Sequence, residues 1–357
     1  MQRDHTCIRS VASLRVIGIG GCGINALNGL VKSGVQGIDF VALSSDVRTL
    51  TKANVSNCLC IGQSITKGKG AGGDPAVGER VALASQLQIK ELLAGADMVF
   101  IVAGMGGGTG TGAAPLIAAM AQSMGILTIA AVTTPFQFEG PYRFRRAEVG
   151  IEKLRQHVDT LLVIPNERVF EMMAGQISLR DAFGMVDEVL LQGILGVTEL
   201  ITTAGFINLD FATVRTVMSA GGMAIISMGK ATGPDRAQIA AKQATCSPMH
   251  NATIDGARAL LVNITAGPNL TLHEVEQAVR IIENRVHADA NVVFGTVIDE
   301  CAGDELRITV IATGCERHYP HMPVALFPRS RYAQETSSDL SMPRFSLKDY
   351  KIPVFVG

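Results

Sequence analysis

The segment that most constrains this chain is a glycine-rich run directly after an uncharged apolar stretch. Gly104–Gly112 reads GMGGGTGTG, and a helix with Pro115 in its first turn is predicted to follow it. Five of these glycines lie within seven residues, with two threonines between them. Such a turn offers several backbone N–H donors and two hydroxyls at a helix N-terminus, which suits a triphosphate. We expect close helix–strand packing to account for one or two of the glycines and phosphate binding for the rest.

A second glycine motif lies nearer the N-terminus. Gly18–Gly23 reads GIGGCG, which fits G-x-G-x-x-G between a predicted strand and a predicted helix. Alone it also fits an NAD-dependent oxidoreductase, in which Asp46 would bind the ribose. The run at 104–112 argues against that alternative, and it is not a P-loop because Gly-Lys-[Ser/Thr] is missing. A third cluster, Lys67–Gly73, is predicted to form a mobile loop beside the terminal phosphate.

Apolar runs alternate with helical patterns over the first half of the chain, which indicates a parallel sheet with helices on both faces. No charged residue occurs from Met98 to Phe138, so Ala113–Val132 has the hydropathy of a membrane span. The glycine-rich turn before it and Ser123-Met124-Gly125 within it instead predict a buried helix and then a buried strand. Strands are predicted at 14–19, 38–43, 98–103, 126–133 and 160–164, and helices at 25–32, 76–93 and 146–157.

One long helix is predicted to follow. Apolar residues recur at spacings of three and four from Leu179 to Ile201, and Ser178 with Asp181 forms a capping-box-like start. About 24 residues at about 1.5 Å each span roughly 36 Å, enough to cross a domain. Beyond it, strands are predicted at 224–228, 259–264, 291–297 and 307–312, which indicates a second α/β domain.

The chain's ends carry no such pattern. Pro, Ser and Arg dominate from Glu316 to Ser346, which is typical of a flexible linker, and Asp349–Val356 (DYKIPVFV) is apolar again. A short apolar patch after such a linker is typical of a docking peptide, although a frayed end is the alternative. The predicted divisions are a flexible N-terminus at 1–13, a nucleotide-binding domain at 14–177, the central helix at 178–203, the second domain at 204–315, the linker at 316–346 and the docking peptide at 347–357.

Charge and cysteine content exclude several classes of function. The net charge of −1 and pI near 6.7 argue against nucleic-acid partners and anionic lipid. The seven cysteines include no CxxC pair, so we expect free thiols in a reducing cytoplasm and no metal site. Met1–Ser13 carries charges and no long apolar core, so we predict neither a signal peptide nor membrane insertion.

The motif GGGTGTGAAP at 106–115 identifies a resemblance to the tubulin/FtsZ superfamily. Within it the chain resembles bacterial FtsZ from about Leu14 to Gly314, for example in HVDTLLVIPNER at 157–168 and ARALLVNITAGP at 257–268. The resemblance implies a GTPase that binds GTP and GDP, with Mg²⁺ carried by the nucleotide. It also implies head-to-tail filaments of the cytoplasmic, midcell division ring, in which 204–315 is the activation and assembly domain. The peptide DYKIPVFV is similar to the FtsZ tail that binds membrane-tethering and regulatory division proteins.

The resemblance also implies a set of GTP-binding residues. The spacing of two of them fits guanine, because Phe183 and Asp187 lie four apart on one helix face. The ring can stack on the base and the carboxylate can accept N1–H and N2–H₂, which adenine cannot offer. The alternatives are a core position for Phe183 and a solvated helix edge for Asp187. The implied set is Gly20, Gly21, Cys22, Gly23, Ile24 and Asn25 in the first loop, Gly106, Gly107, Gly108, Thr109, Gly110 and Thr111 in the second, Glu139 and Arg143 at ribose and phosphate, Asn166, Phe183 and Asp187.

Catalysis is predicted to involve the loop after the long helix. Asn208 and Asp210 cannot reach their own subunit's nucleotide across about 36 Å, but they can reach that of a subunit stacked head to tail. Asp210 would orient or polarise the attacking water.

The chain departs from FtsZ in this loop, because Thr213 stands where a second acidic residue is usual. We therefore predict slower hydrolysis than in typical relatives. The alternative is a GTP-binding paralogue with weak hydrolysis that acts as a structural filament or filament modulator. Ser44, Ser45, Cys22 and Ile24 also depart from the family pattern, with unknown effect on nucleotide affinity.

Overall fold

The computed structural model describes residues 12–168, 178–202, 206–207, 209–219, 222–247 and 252–314. The predicted linker and docking peptide lie outside these residues. The strands are β1 (Leu14–Ile19), β2 (Ile38–Ser44), β3 (Asn57–Cys60), β4 (Met98–Gly104), β5 (Leu127–Thr134), β6 (Thr160–Pro165), β7 (Gly222–Ala231), β8 (Cys246–Ser247), β9 (Ala252–Thr253), β10 (Ala259–Ala266), β11 (Asn291–Ile298) and β12 (Leu306–Thr313). The α-helices are α1 (Gly20–Lys32), α2 (Val47–Leu50), α3 (Gln63–Thr66), α4 (Pro75–Ala84), α5 (Gln86–Leu93), α6 (Thr109–Ser123), α7 (Pro141–Arg155), α8 (Leu179–Thr202), α9 (Phe211–Ser219), α10 (Arg236–Ala244) and α11 (Leu272–Glu283).

Ten strands form one mostly parallel sheet in the order β11-β10-β12-β7-β6-β5-β4-β1-β2-β3. Strands β1 to β6 are all parallel, and β7 continues the parallel run beside β6. Strand β12 is antiparallel to both β7 and β10, and β11 is parallel to β10. The predicted α/β class with a parallel nucleotide-binding sheet and a long central helix is confirmed.

The uncharged stretch is interior, as predicted. Helix α6 buries most of its residues, and all eight residues of β5 are buried, because the strand lies between β4 and β6 with helices on both faces. In the part of the chain described above, no helix is long and apolar enough to cross a membrane.

Two local predictions were wrong, and one strand was missed. Helix α1 begins at Gly20 rather than Asn25, so the predicted first loop is in fact the first turns of the helix. The predicted helix at 76–93 is two helices, because the chain breaks at Ser85, whose hydroxyl accepts the Gly62 N–H at 2.9 Å. The short edge strand β3 was not predicted, since its four residues carry too little pattern.

The long helix α8 has the predicted bounds, with the Ser178 hydroxyl accepting the Asp181 N–H at 3.2 Å. Its second half crosses the C-terminal strands one after another. Gly193 lies on Ile226 of β7, and Gly196 lies on Thr309 of β12. At the last turns, Asn263 of β10 donates a 3.3 Å hydrogen bond to Glu199, and Leu200 lies on Gly295 of β11. Just beyond the helix, Ile207 pairs with Thr296 of the edge strand β11.

Candidate functional site

A cavity of about 710 Å³ lies at the carboxyl ends of β1, β2, β4, β5 and β6. This is the edge of a parallel α/β sheet where ligands usually bind. The N-terminal half of α8 closes one side of the cavity. The predicted residues that line it are Gly20, Gly21, Cys22, Asn25, Gly107, Gly108, Thr109, Gly110, Glu139, Arg143, Asn166, Phe183 and Asp187.

Four other predicted residues lie behind the cavity wall. Gly23 packs against the carbonyl of Val102, and Ile24 is fully buried in the core on the opposite side of α1. Thr111 is also buried, and its hydroxyl accepts the Gly106 N–H at 2.9 Å. The expectation that both threonine hydroxyls face a phosphate is therefore corrected, because only Thr109 lines the cavity.

Packing accounts for more of the glycines at 104–112 than expected. A Cβ at Gly106, Gly108, Gly110 or Gly112 would lie within 3 Å of another atom, and at Gly112 only 2.1 Å from the carbonyl oxygen of Pro75. Gly107 differs, since a Cβ there would meet no atom within 4 Å. Gly110 meets the carbonyl of Gly104 at the end of β4, so close helix–strand packing accounts for one glycine, within the expectation. Gly106 meets the Arg143 carbonyl of α7, Gly108 the loop before α4 and Gly112 α4 itself, so other tertiary contacts account for three more.

One end of the cavity carries aromatic and amide groups. Phe183 is 41% exposed rather than part of the core, and its ring meets Phe136 edge-on at 5.1 Å between centroids. The buried Asn166 Oδ1 has no hydrogen-bond partner among the described residues. Burial raises the pKa of Asp187 to about 6. These groups combine an accessible aromatic ring with acceptors on two side chains, Asn166 and Asp187, which fits the N–H donors of a guanine base.

The opposite end carries hydroxyls and open backbone amides. Helix α6 begins at Thr109, and Gly108 before it has no side chain to cap the first turn. The first amides of the helix and its positive dipole end are therefore available to an anion. The Thr109 hydroxyl lies 2.6 Å from that of Ser45, and the exposed Lys69 also lines this end.

The loop Lys67–Gly73, predicted to be mobile, is joined to its surroundings by several hydrogen bonds. The Gly68 carbonyl accepts the Val47 N–H at 3.0 Å, and Gly70 donates to the Ser45 carbonyl at 3.0 Å. At its far side the guanidinium of Arg146 donates to the Gly73 carbonyl. Sequence reasoning did not place Lys69, Thr133 or Thr134 on the cavity wall, and only the proximity of Lys69 to a glycine cluster pointed to it.

Cys22 has the environment of an inert thiol. Its sulfur lies 3.5 Å from the Thr133 hydroxyl, and burial raises the pKa of the thiol to about 11. A Cβ at Gly104 would meet Cys22 at 2.7 Å, so the glycine makes room for this side chain. Cys22, Cys58, Cys60 and Cys301 are free thiols, and the described residues contain no cluster of metal ligands.

The predicted catalytic residues lie beyond the far end of α8. Asp210 is exposed and precedes α9, and its Oδ1 accepts the Thr213 N–H at 2.7 Å. Hydrogen bonds from the side chain and backbone of Thr213 lower the pKa of Asp210. The carboxylate is thus an anionic helix cap held by both the backbone and the side chain of Thr213. Asn208 lies outside the described residues.

Comparison with known proteins places both halves of the chain. Residues 13–174 match the GTPase domain of the tubulin/FtsZ family, and residues 222–316 match the C-terminal domain of the FtsZ family. An empty FtsZ dimer from M. jannaschii is similar at 40% identity and a TM-score of 0.83, over 87% of this chain and 90% of that one. A W319Y mutant of FtsZ from M. jannaschii matches at 40% identity and a TM-score of 0.82, over 85% and 91% of the two chains. CetZ2 from Haloferax volcanii, solved as a GTPγS-bound protofilament, shares the fold at 22% identity and a TM-score of 0.71, over 84% and 92%.

Proposed function

This chain belongs to the tubulin/FtsZ family as a cytoskeletal GTPase that binds GTP and GDP, and from that premise we propose that it polymerises head to tail into filaments of the bacterial division (Z) ring. Hydrolysis would take place where the nucleotide of one subunit meets the catalytic loop of the next. The observation that carries the proposal is the separation of two half-sites. The cavity lies at one end of α8, and Asp210 lies beyond the other end of this 24-residue helix.

The nucleotide fits the cavity in one orientation. Guanine would stack on Phe183 and donate N1–H and N2–H₂ to Asp187, while Asn166 would accept a further hydrogen bond. The phosphates would then extend towards the amides of Gly107–Gly110 and the Thr109 hydroxyl. The unpartnered Asn166 Oδ1 and the uncapped start of α6 support this orientation, because both need a ligand to complete their hydrogen bonds.

The remaining lining residues would hold the middle of the nucleotide. Glu139, just before α7, and Arg143 in its first turn form an ion pair at the cavity wall, where they would contact ribose and phosphate. Mg²⁺ would be carried by the phosphates and would neutralise their charge. Asp46 is the one carboxylate at the phosphate end of the described lining, and Arg48 lowers its pKa by hydrogen bonding, so it stays anionic beside such a cation.

Asp210 would act through its negative charge rather than as a proton acceptor. Because its pKa is lowered, the carboxylate is a weak base near neutral pH. It can still accept a hydrogen bond from water and orient that water for attack on the terminal phosphate of the neighbouring subunit. Asn208, two residues before it, would contribute to the same loop.

Exposed apolar side chains at the two proposed contact regions support assembly. Phe206, beside the catalytic loop, is 87% exposed, and Leu272 at the start of α11 is 82% exposed. Phe138, just after β5 and near the cavity, is 68% exposed and stacks on Phe136. Contact between such groups of successive subunits would bury apolar area, and a head-to-tail interface of this kind extends without closing.

The C-terminal peptide Asp349–Val356 would connect these filaments to membrane-tethering and regulatory division proteins at midcell in the cytoplasm. The support is its apolar sequence after a polar linker. Deletion of the last nine residues should abolish pull-down of such adaptors while GTP-dependent assembly continues. Unchanged adaptor binding would contradict the docking role.

Phosphate release measured against protein concentration tests the shared active site. We expect a critical concentration below which turnover is negligible, and turnover strictly proportional to protein concentration would contradict the proposal. A second candidate, the paralogue with weak hydrolysis, is favoured by the uncharged Thr213. GTP-dependent light scattering without phosphate release would support that candidate instead.

A further inference from the structure

Two hydroxyl groups meet at the phosphate end of the cavity. Ser45 is fully buried in the turn after β2, and Thr109 is the first residue of α6. Their oxygens lie 2.6 Å apart, a short hydrogen bond in which either group can be the donor. Each hydroxyl has one proton and two lone pairs, so the direction of this bond decides what Thr109 presents to a ligand.

We propose that Ser45 is a positioning residue that directs the Thr109 proton towards the terminal phosphate of GTP. When Ser45 donates to Thr109, the Thr109 proton is free to bond a phosphate oxygen. The reverse direction would present a lone pair to an anion, which is repulsive. A bound triphosphate therefore selects one direction, and the two bonds strengthen each other because they form a chain that ends on a charged acceptor.

We call the chain of hydrogen bonds from Ser45 through Thr109 to the phosphate the relay. The backbone of Ser45 also connects this relay to the loop Lys67–Gly73. Its carbonyl accepts the Gly70 N–H at 3.0 Å and the Thr66 hydroxyl at 3.2 Å. Loss of the terminal phosphate would remove the acceptor at the end of the relay, next to the loop that closes this end of the cavity. The resemblance to FtsZ predicts threonine in place of Ser45, and serine keeps the hydroxyl on which the relay depends.

The inference rests on the proposed position of the phosphates, and a double-mutant cycle separates the two. Ser45→Ala, Thr109→Val and the double variant are compared with wild type by fluorescence anisotropy below the assembly concentration. The probes are a labelled non-hydrolysable GTP analogue and labelled GDP. We expect either single variant to weaken triphosphate binding about tenfold and GDP binding less than twofold, and the double variant to bind like Thr109→Val alone.

Two further variants separate positioning from folding. Ser45→Thr should bind the triphosphate analogue as wild type does, because it keeps the hydroxyl that Ser45→Ala removes. Thr128→Val removes a fully buried hydroxyl that bonds the Ile126 carbonyl at 2.9 Å, and it should leave both affinities unchanged. Thermal unfolding of the nucleotide-free variants is measured in parallel.

Additive losses, or equal losses for GTP analogue and GDP, would overturn the relay and leave Ser45 a purely structural role. A loss confined to Thr109→Val would overturn the relay while the phosphate position stands. Triphosphate binding unchanged in Thr109→Val would refute the phosphate position itself, and the relay with it.

Discussion

The two ends of α8 carry aspartates in opposite environments. Asp187, near the start of the helix, lies half-buried in the cavity wall, and burial raises its pKa to about 6. Asp210, beyond the end of the helix, is exposed, and hydrogen bonds from Thr213 lower its pKa. The proposed role of Asp187 is to accept hydrogen bonds from a base, whereas Asp210 already accepts hydrogen bonds from Thr213, which favour its anionic form. The comparison teaches that environment alone shifts the pKa of one residue type in opposite directions, as the two proposed roles require.

Substitution of Asp210 should have the largest effect and should separate GTP turnover most clearly from GTP binding. In Asp210→Asn we expect GTP turnover to fall about 100-fold or more while labelled GTP binds within about twofold of wild type, because the residue acts on the neighbouring subunit. Phosphate release and anisotropy measure the two quantities. An equimolar mixture with Asp187→Ala should regain turnover, since intact pockets then meet intact catalytic loops. A mixture as inactive as its components would contradict a shared site.

The cavity aspartate should show the reverse pattern. Asp187→Ala removes the carboxylate that would accept N1–H and N2–H₂ of guanine, so we expect GTP affinity to fall by about 100-fold and most of the discrimination against ATP to disappear. Competition binding with GTP and ATP measures both. Glu188→Ala on the exposed neighbouring position of α8 is a matched control, and an equal loss there would assign the effect to the helix instead.

The pH dependence should distinguish the two aspartates directly. Because the pKa of Asp187 is raised to about 6, its carboxylate is mostly ionised above that pH and becomes protonated as the pH falls below it. Guanine recognition needs the ionised form, so GDP affinity should fall about tenfold between pH 7 and pH 5. Asp187→Asn should flatten this part of the profile. A profile identical in wild type and Asp187→Asn would show that another group titrates.

The smallest effect is expected at Thr213. A second carboxylate there would add charge beside Asp210, so Thr213→Asp should raise GTP turnover about three- to tenfold without changing nucleotide affinity. Thr213→Val serves as the control, because it removes the hydroxyl that lowers the pKa of Asp210 but adds no charge. Turnover no higher in Thr213→Asp than in wild type would sink the hypothesis of slowed hydrolysis.

The sequence was most informative where periodicity and glycine chemistry coincide. The bounds of α8 followed from a single apolar stripe and its Ser178 cap, and residues of both glycine motifs line the cavity. Phe183 lies on that stripe yet faces the cavity, because Phe136 packs against its edge from another element. Only this tertiary contact distinguishes a core position from a cavity-lining position for Phe183.

What escaped prediction depends on contacts between distant segments. Thr109 and Thr111 are equivalent in a linear motif, but positions two apart on a helix point to different sides. The Thr109 hydroxyl therefore meets Ser45, whereas the Thr111 hydroxyl meets Gly106. Gly106, Gly108 and Gly112 looked like phosphate ligands because packing partners such as Pro75 lie more than thirty positions away in the sequence. Such steric reasons become visible only when α4 and α6 are placed side by side.

The order of strands has a consequence for synthesis on the ribosome. Strands β1 to β6 form one contiguous block of the sheet, so all their pairings are available once Pro165 has emerged. Within the described part of the chain, β10 and β11 join this block only through β12, the last strand to be translated. Until Leu306–Thr313 leaves the exit tunnel, the sheet in the nascent chain therefore ends at β7. The edge of β7 that will pair with β12 stays unpaired during that time.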